Sequence, residues 1–316
     1  MWSVVLILSL VALVRGADWL ISGAENIGVA IGFSPFVVGV TIVALGTSLP
    51  ELISSMSAVL KSAPEIVVAN AVGSNIANIL LIVGISAIIA KKIVVEKNVI
   101  DIDLPLLAAS TLLFVLVAWD GGINIYESLI LLGAYVCYLL YVLIYKEEKE
   151  IEKRAEMVVE DEIEAKTKFK AKDLVAIIGG ALLLAVGANY LVDSILELSS
   201  FLGLTAGVIT IIVVAVGTSL PELSVSVKAA LKGKGDTALG NIFGSNVFNI
   251  LVVVGIPGLF SYLPLGEQVM LIGLPVLIIT TFLFIVSGFS KQIHIWEGLF
   301  YVAIYIVFVV KLLGLF

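Results

Sequence analysis

The sequence predicts an all-α integral membrane protein of ten transmembrane helices, arranged as two inverted-topology five-helix repeats with helices broken near the membrane midplane. Three observations lead to this fold class. Apolar residues make up 60% of the 316 residues and charged residues only 14%, whereas a soluble domain is closer to half apolar and a quarter charged. The apolar residues form ten stretches of membrane-spanning length. The seven residues GTSLPEL occur twice, at 46–52 and 217–223, each time inside such a stretch.

The ten spans follow from length, because an α-helix needs about 20 mostly apolar residues to cross a bilayer. The first apolar stretch is interpreted as a retained helix rather than a signal peptide, since no basic segment precedes it. The predicted spans are 2–25, 33–60, 66–90, 101–118, 126–145, 173–198, 205–230, 237–259, 267–287 and 294–315.

One strongly polar stretch divides the chain. Residues 146–173 contain eight Lys or Arg and ten Asp or Glu residues, with unevenly spaced apolar residues between them. This pattern favours a surface helix or a linker. We therefore expect a first five-helix repeat at 1–145, a charged linker at 146–172 and a second five-helix repeat at 173–316.

The basic residues predict the orientation in the membrane. Fifteen lysines and arginines lie in the odd-numbered loops between predicted spans, and Lys61 alone lies in the even-numbered loops. Positively charged loops stay on the cytoplasmic side. The sequence therefore predicts a multi-pass protein of the cell membrane with the 146–172 loop in the cytoplasm and both termini outside.

The repeat extends beyond the seven-residue motif. A constant offset of 171 residues also pairs the Gly at 16 with that at 187, the motif GSN at 73–75 with that at 244–246, and NIL at 78–80 with that at 249–251. Each half contains five predicted spans, so the second half enters the membrane from the opposite side. Such inverted repeats are typical of secondary transporters, whose sites lie near the bilayer midplane between the repeats.

Each GTSLPEL motif combines a proline with a glutamate in the middle of a span. Pro50 and Pro221 each remove a backbone hydrogen bond, which makes carbonyl groups of the preceding turn, including those of Ala44 and Ala215, candidates to face a cavity. An ionised glutamate at this depth costs roughly 2.5–3.5 kcal/mol on insertion scales. No Lys or Arg lies near either glutamate in the sequence, which disfavours a structural ion pair and favours a bound cation. An all-oxygen environment without His or Cys suits a hard cation, especially Ca²⁺.

The second repeated motif places hydroxyl and amide groups on one helix face. Ser74 and Asn78 are four residues apart, as are Ser245 and Asn249. Such residues also join membrane helices without binding ions, and for either motif alone this explanation is about equally good. The joint duplication with the glutamate motif favours a site. Asn75 and Asn246 are expected to point elsewhere, as packing or gating residues.

Two GTSLPEL motifs, each followed by a G-S-N-x-x-N-I-L motif, resemble the α-repeats of the calcium/cation antiporter superfamily, and among its members the prokaryotic sodium/calcium exchangers. The resemblance implies four ion sites between the repeats and exchange of about three Na⁺ for one Ca²⁺ by alternating access, with the first and sixth spans sliding. Carried over by position, it implies a Ca²⁺ site and flanking Na⁺ sites with a central polar position, formed by Glu51, Glu222, Thr47, Thr218, Ala44, Ala215, Ser48, Ser74, Ser219, Ser245, Asn78 and Asn249.

The resemblance leaves a second coupling ion to consider. Proton/calcium exchangers carry a G-N-x-x-E-like motif where this chain has GTSLPE, so Na⁺ is preferred over H⁺, and H⁺/Ca²⁺ antiport is the alternative. Potassium-dependent relatives carry aspartate at the position of Asn249, which argues against K⁺ dependence. A channel or a membrane-anchored enzyme fits the pattern less well. We expect Ca²⁺ and Na⁺ as transported ions, no permanently bound cofactor, the lipid bilayer as surroundings, and neither nucleic acid nor an obligatory protein partner.

Overall fold

The computed structural model of the chain describes residues 1–30, 44–94, 103–156, 171–233 and 235–315. Helices account for nearly all of this part, as the apolar composition predicts. The helices, numbered here in chain order, are α1 (Trp2–Ala30), α2 (Ala44–Thr47), α3 (Leu49–Leu60), α4 (Glu65–Ala90), α5 (Leu104–Val117), α6 (Ile125–Glu156), α7 (Ala171–Leu202), α8 (Ala206–Thr218), α9 (Leu220–Leu231), α10 (Gly235–Phe248), α11 (Val269–Phe289) and α12 (Ile295–Leu312).

Several of these helices are long and apolar enough to cross a membrane. In the described part there are six, or seven if α8 and α9, which meet at an angle of 46°, count as one broken span. The six are Trp2–Gly23, Glu65–Ala90, Ala171–Leu202, Thr237–Gly258, Val269–Phe289 and Ile295–Leu312. The chain is therefore an all-α membrane protein, and the count of ten spans stays a prediction. Residues 33–43 and 101–102 of the predicted spans and 157–170 of the predicted linker lie outside the described residues.

The helices differ sharply in how much surface they bury. In an 18-residue apolar window of α4 and of the span Thr237–Gly258, 78% of the residues are buried, whereas the share is only 33% in the corresponding windows of α1 and α7. The two buried spans therefore form the centre of the molecule. They are also the spans that carry the repeated GSN motifs, so these polar residues lie in the interior and not at the lipid surface.

Helices α1 and α7 pack backbone to backbone through glycines. A Cβ atom on Gly16 would lie 2.8 Å from the carbonyl oxygen of Gly180, and one on Gly180 would lie 2.6 Å from the carbonyl oxygen of Gly16. A Cβ atom on Gly187 would likewise lie 3.0 Å from the carbonyl oxygen of Ser9. Small residues allow membrane helices to approach in this way. The two helices thus form one closely packed pair at the edge of the molecule.

Both GTSLPEL motifs interrupt a helix at the serine. Ser48 separates α2 from α3 with φ −92° and ψ 10°, and Ser219 separates α8 from α9 with φ −83° and ψ 12°. Pro50 and Pro221 therefore lie in the first turn of a new helix, where an N–H has no intrahelical partner to lose. The break that proline predicts is present in both motifs, and each glutamate lies in the turn that follows it.

Two short antiparallel ribbons connect distant parts of the chain. β1 (Lys92–Val94) pairs with β4 (Gln292–His294), and β2 (Gly122–Ile123) pairs with β3 (Leu263–Pro264). Each ribbon joins a segment that precedes the charged stretch to one that follows it. Helix α6 continues to Glu156, eleven residues past the predicted end of the fifth span at 145, so part of the predicted linker is helical.

Candidate cation-binding site

The two motif glutamates are completely buried. Glu51 in α3 and Glu222 in α9 are both 0% exposed, and each lies three residues after the serine that breaks its helix. At the second break the new helix starts at 46° to the preceding one. Each half of the chain thus contributes one carboxylate, and in each half the glutamate follows the same kind of helix break.

Hydroxyl groups connect each motif to the glutamate of the other. Ser219 Oγ donates to Glu51 Oε1 at 3.2 Å, and Ser48 Oγ donates to Glu222 Oε1 at 3.2 Å. Ser245 Oγ from α10 donates to the same Glu222 oxygen at 3.3 Å. Five of the predicted site residues therefore form two hydrogen-bonded sets, Ser219 with Glu51, and Ser48 and Ser245 with Glu222. Because each set joins residues of both motifs, the two carboxylates lie in the same part of the buried interior.

Amide side chains of α4 and α10 form a further buried polar contact between the two halves of the chain. Asn78 Nδ2 donates to Asn246 Oδ1 at 2.9 Å, and Asn75 Nδ2 donates to the backbone oxygen of Asn246 at 3.0 Å. Asn78 and Asn249 both lie in π-helical turns, Ala77–Val83 and Asn249–Val253. Such turns occur frequently at functional sites. The expectation that Asn246 points elsewhere is wrong, because its side chain contacts the predicted site residue Asn78.

The threonines and alanines of the prediction lie in the turn before each break. Thr47 and Thr218 are buried, and Thr218 Oγ1 donates to the carbonyl oxygen of Val214 at 3.1 Å. The carbonyl oxygen of Ala215 accepts the backbone N–H of Ser219 at 3.2 Å, so this group is engaged in the helix end. Ala44 is the first residue of α2. These four residues flank the breaks.

The interior of the site contains oxygen atoms without partners. Among the described residues, no hydrogen-bond partner reaches Oε2 of Glu51 or Glu222, Oγ of Ser74, or Oδ1 of Asn78 or Asn249. The ion pairs of the same part of the chain, Arg15–Asp18 and Lys61–Asp193, involve neither glutamate. Buried polar atoms normally have partners, and those that do not require an explanation such as an ion.

The buried oxygen atoms of the site suit one class of metal ion better than others. In the described part of the chain no group of three or more His, Cys, Asp and Glu side chains comes together, so the two carboxylates are supplemented by hydroxyl and amide oxygens. Hard cations such as Ca²⁺ prefer this all-oxygen environment, whereas zinc and copper favour nitrogen and sulfur. The residues present therefore fit a hard cation.

Two asparagines outside the predicted site contact the backbone of the glutamates. Asn70 Nδ2 lies 3.2 Å from the backbone oxygen of Glu51, and Asn241 Nδ2 lies 3.4 Å from the backbone oxygen of Glu222. They differ by the same 171 residues as the motifs and precede Ser74 and Ser245 by four residues. Extending the repeat N-terminally by three residues would have found both.

These features define a class of protein. This helical membrane protein buries two carboxylates that accept hydrogen bonds from serine hydroxyls, and within the described part no base is paired with either. Buried ionisable groups in membrane helices are typical of ion pathways. Comparison with known proteins gives the family. A sequence profile described as "Sodium/calcium exchanger protein" matches residues 1–144 and 172–314.

Similar proteins match over almost the whole length. The sodium/calcium exchanger MaX1 of Methanosarcina acetivorans is 33% identical over 98% of this chain and 97% of its own. The inner membrane protein YrbG of Escherichia coli is 32% identical over 81% of this chain and 79% of its own. A solved structure of the sodium-calcium exchanger NCX_Mj soaked with Na⁺ and Sr²⁺ superposes with a TM-score of 0.66, at 33% identity over 97% of this chain and 96% of that one.

The chain belongs to the sodium/calcium exchanger family, as its two repeated motifs predict. This is a family of transporters and not of enzymes.

Proposed function

We propose that this protein is a secondary antiporter that exchanges Na⁺ for Ca²⁺ across the cell membrane by alternating access, with three Na⁺ per Ca²⁺. The observation that carries the proposal is the set of five buried oxygens without hydrogen-bond partners among the described residues, contributed by both carboxylates, Ser74, Asn78 and Asn249. Two completely buried carboxylates require compensating positive charge, and no described basic residue is paired with them. A bound cation supplies that charge.

The proposed ion ligands are the twelve residues that the sequence predicts. Glu51 and Glu222 hold Ca²⁺ with oxygens from Thr47, Thr218, Ala44 and Ala215. Flanking Na⁺ sites use serine hydroxyls, and a central polar position uses two amides: Ser48, Ser74, Ser219, Ser245, Asn78 and Asn249. The crossed bonds from Ser48 to Glu222 and from Ser219 to Glu51 support a site shared by both halves. Ca²⁺ and Na⁺ are substrates of this site, and the proposal includes no resident cofactor, nucleic acid or obligatory protein partner.

The proposed architecture has ten spans in two inverted five-helix repeats, 1–145 and 173–316, joined by the linker 146–172. Two observations support it: the family profile matches in two segments that flank this linker, and both halves contain the same helix break before a buried glutamate. The concentration of basic residues in the odd loops supports a cytoplasmic linker and external termini. The name of the Escherichia coli relative, an inner membrane protein, agrees with a location in the cell membrane.

Coupling to Na⁺ is proposed because the GTSLPE motif differs from the motif of proton exchangers and because relatives over the full length are named sodium/calcium exchangers. The test is ⁴⁵Ca²⁺ uptake into proteoliposomes under separately imposed Na⁺, K⁺ and H⁺ gradients. We expect an outward Na⁺ gradient at equal pH on both sides to drive uptake, and a K⁺ gradient to have no effect. Uptake driven by a pH gradient alone, without Na⁺, would support H⁺/Ca²⁺ antiport instead.

A further inference from the structure

The side chain of Asn70 joins two helices at the glutamate of the first motif. Its Nδ2 atom lies 3.2 Å from the backbone oxygen of Glu51, 3.1 Å from Ser55 Oγ and 3.4 Å from Ser54 Oγ. Ser54 Oγ in turn donates to the same Glu51 oxygen at 3.0 Å. Asn70, Ser54 and Ser55 are all at least 98% buried. An amide of α4 is thus inserted among the main-chain and hydroxyl oxygens of the first two turns of α3.

The second half repeats this arrangement. Asn241 Nδ2 of α10 lies 3.4 Å from the backbone oxygen of Glu222 and 3.2 Å from Ser226 Oγ. Ser226 Oγ donates to the carbonyl oxygen of Ala238, at 3.1 Å, and so fastens α9 to α10 a second time. Asn241 and Ser226 each lie 171 residues after their counterparts Asn70 and Ser55. The same local structure therefore occurs at both glutamates.

The amide and the site serine come from one helix. Asn241 and Ser245 are four residues apart on α10, so they lie on the same face. From this face Asn241 contacts the backbone of Glu222, while Ser245 donates to its carboxylate at 3.3 Å. One helix thus contacts the glutamate at both its main chain and its charged end, which leaves the side chain little freedom to rotate.

Such support is needed because each glutamate lies in the first turn after a helix break. The first turn of a helix is held by fewer intrahelical hydrogen bonds than later turns, because its N–H groups have no acceptor within the helix. Contacts from outside the helix, including those to its carbonyl oxygens, therefore help to fix the orientation of this turn. Proline at the second helical position removes one further donor. For Glu51 and Glu222 the external contact to the main chain is the asparagine amide.

We propose that Asn70 and Asn241 are positioning residues, each of which fixes the first turn of the helix that carries a site glutamate and thereby aims its carboxylate at the bound cation. The cation role of the glutamates rests on the proposed function, whereas the fixing of the helix turn does not. Neither asparagine is proposed to touch the ion. Their effect is transmitted through the backbone of Glu51 and Glu222.

The turn-fixing step is tested without any transported ion. Hydrogen–deuterium exchange is measured on the purified full-length protein and on Asn70→Ala and Asn70→Leu, in a buffer without Ca²⁺ or Na⁺. We expect the peptides that cover residues 49–60 to exchange about threefold to tenfold faster in both variants, because each lost hydrogen bond is worth roughly that factor. Leucine keeps the branched shape of asparagine and fills its space, but it has no donor. Protection restored by leucine would assign Asn70 to packing and overturn the proposal.

The aiming step is tested by the concentration dependence of transport. We expect Asn70→Ala and Asn241→Ala to raise the half-saturating Ca²⁺ concentration by about threefold to tenfold while maximal flux per folded protein stays within about twofold. Thr111→Val, which alters a buried hydroxyl of α5, is the matched control and should change neither measurement. An unaltered half-saturating concentration in both asparagine variants would overturn the aiming role.

The two proposals fail in different ways. If the wild-type protein shows no Ca²⁺ flux under any gradient but residues 49–60 still lose protection in Asn70→Ala, the proposed function is wrong and the fixing of the turn stands. If the wild-type protein exchanges Ca²⁺ and the asparagine variants match it in both protection and half-saturation, the positioning role is wrong and the proposed function stands.

Discussion

At the scale of single residues, the carboxylates of Glu51 and Glu222 determine what the interior can bind. Each has one oxygen that accepts serine hydroxyls and one without a partner among the described residues. Replacing either glutamate by glutamine keeps the shape and removes the charge. We expect Glu51→Gln or Glu222→Gln to reduce Ca²⁺ exchange by about 100-fold or more, since breaking a buried charge interaction costs about 3–5 kcal/mol.

The same variants separate a binding defect from misfolding. In the wild-type protein, Ca²⁺ at about 100 times its dissociation constant should stabilise the fold by about 2.7 kcal/mol and raise the melting temperature. We expect Glu51→Gln to fold normally and to lose this rise. The exposed Glu197→Gln is the control and should keep both exchange and the Ca²⁺-dependent rise. Normal transport by both site variants would contradict the site assignment.

Much of the site could be predicted from residue types alone. Two glutamates at membrane depth without nearby bases demand compensation wherever they lie, so their importance does not depend on the fold. The prediction that Asn246 points away from the site is wrong for a different reason. Its place on its own helix says nothing about a neighbouring helix, and it reaches Asn78 only because α4 and α10 pack together at this point. Helical periodicity within one span does not contain that information.

At the scale of secondary structure elements, the contact between α1 and α7 depends on the absence of side chains. A Cβ atom on Gly180 would lie 2.6 Å from the carbonyl oxygen of Gly16 and 2.7 Å from the backbone nitrogen of Leu20. Backbone atoms cannot move aside as a flexible side chain can. We therefore expect Gly180→Ala to separate the helices and to lower the free energy of unfolding by about 1–3 kcal/mol, measured by thermal denaturation in detergent.

The matched control for this substitution is Gly133→Ala in α6. No atom of the described residues lies within 4 Å of a Cβ at Gly133, so the added methyl group has space. Alanine is the better helix former by about 1 kcal/mol, and this variant should be neutral or slightly stabilised. Equal melting temperatures for Gly180→Ala and the wild-type protein would contradict the close packing of α1 and α7.

The elements themselves were predictable to different degrees. Proline signals a break from sequence alone, and both motifs are broken as expected, at Ser48 and Ser219. The π-helical turns at Ala77–Val83 and Asn249–Val253 were not foreseen. Their i→i+5 hydrogen bonds leave no compositional signal, because apart from one asparagine in each turn the residues are ordinary apolar helix residues. The prediction that Asn78 and Asn249 share a helix face with the serine four residues before them assumes α-helical spacing. The π-helical turns change that spacing.

At the scale of the whole molecule, the constant offset of 171 residues has a structural counterpart. Asn75 contacts the backbone of Asn246, its own equivalent in the second half, and each motif serine contacts the glutamate of the other motif. Contacts between equivalent residues arise when two similar halves meet around a shared centre. The sequence predicts that the halves are alike, but their mutual packing required the structure. The number of spans stays a prediction, because parts of the predicted spans lie outside the described residues.

The charge of the shared site predicts a response of transport to the membrane potential. One Ca²⁺ neutralises two carboxylates, whereas three Na⁺ leave a net charge of +1, so each Ca²⁺ entering a Na⁺-loaded proteoliposome is accompanied by one net positive charge leaving it. An inside-positive potential should therefore increase Ca²⁺ accumulation. One charge moving through 100 mV corresponds to about 2.3 kcal/mol, or about a 50-fold change in the equilibrium Ca²⁺ ratio.

The measurement is ⁴⁵Ca²⁺ accumulation with the potential set to either sign by K⁺ and valinomycin, at a fixed Na⁺ gradient. Accumulation independent of the potential would indicate two Na⁺ per Ca²⁺ and contradict the proposed stoichiometry.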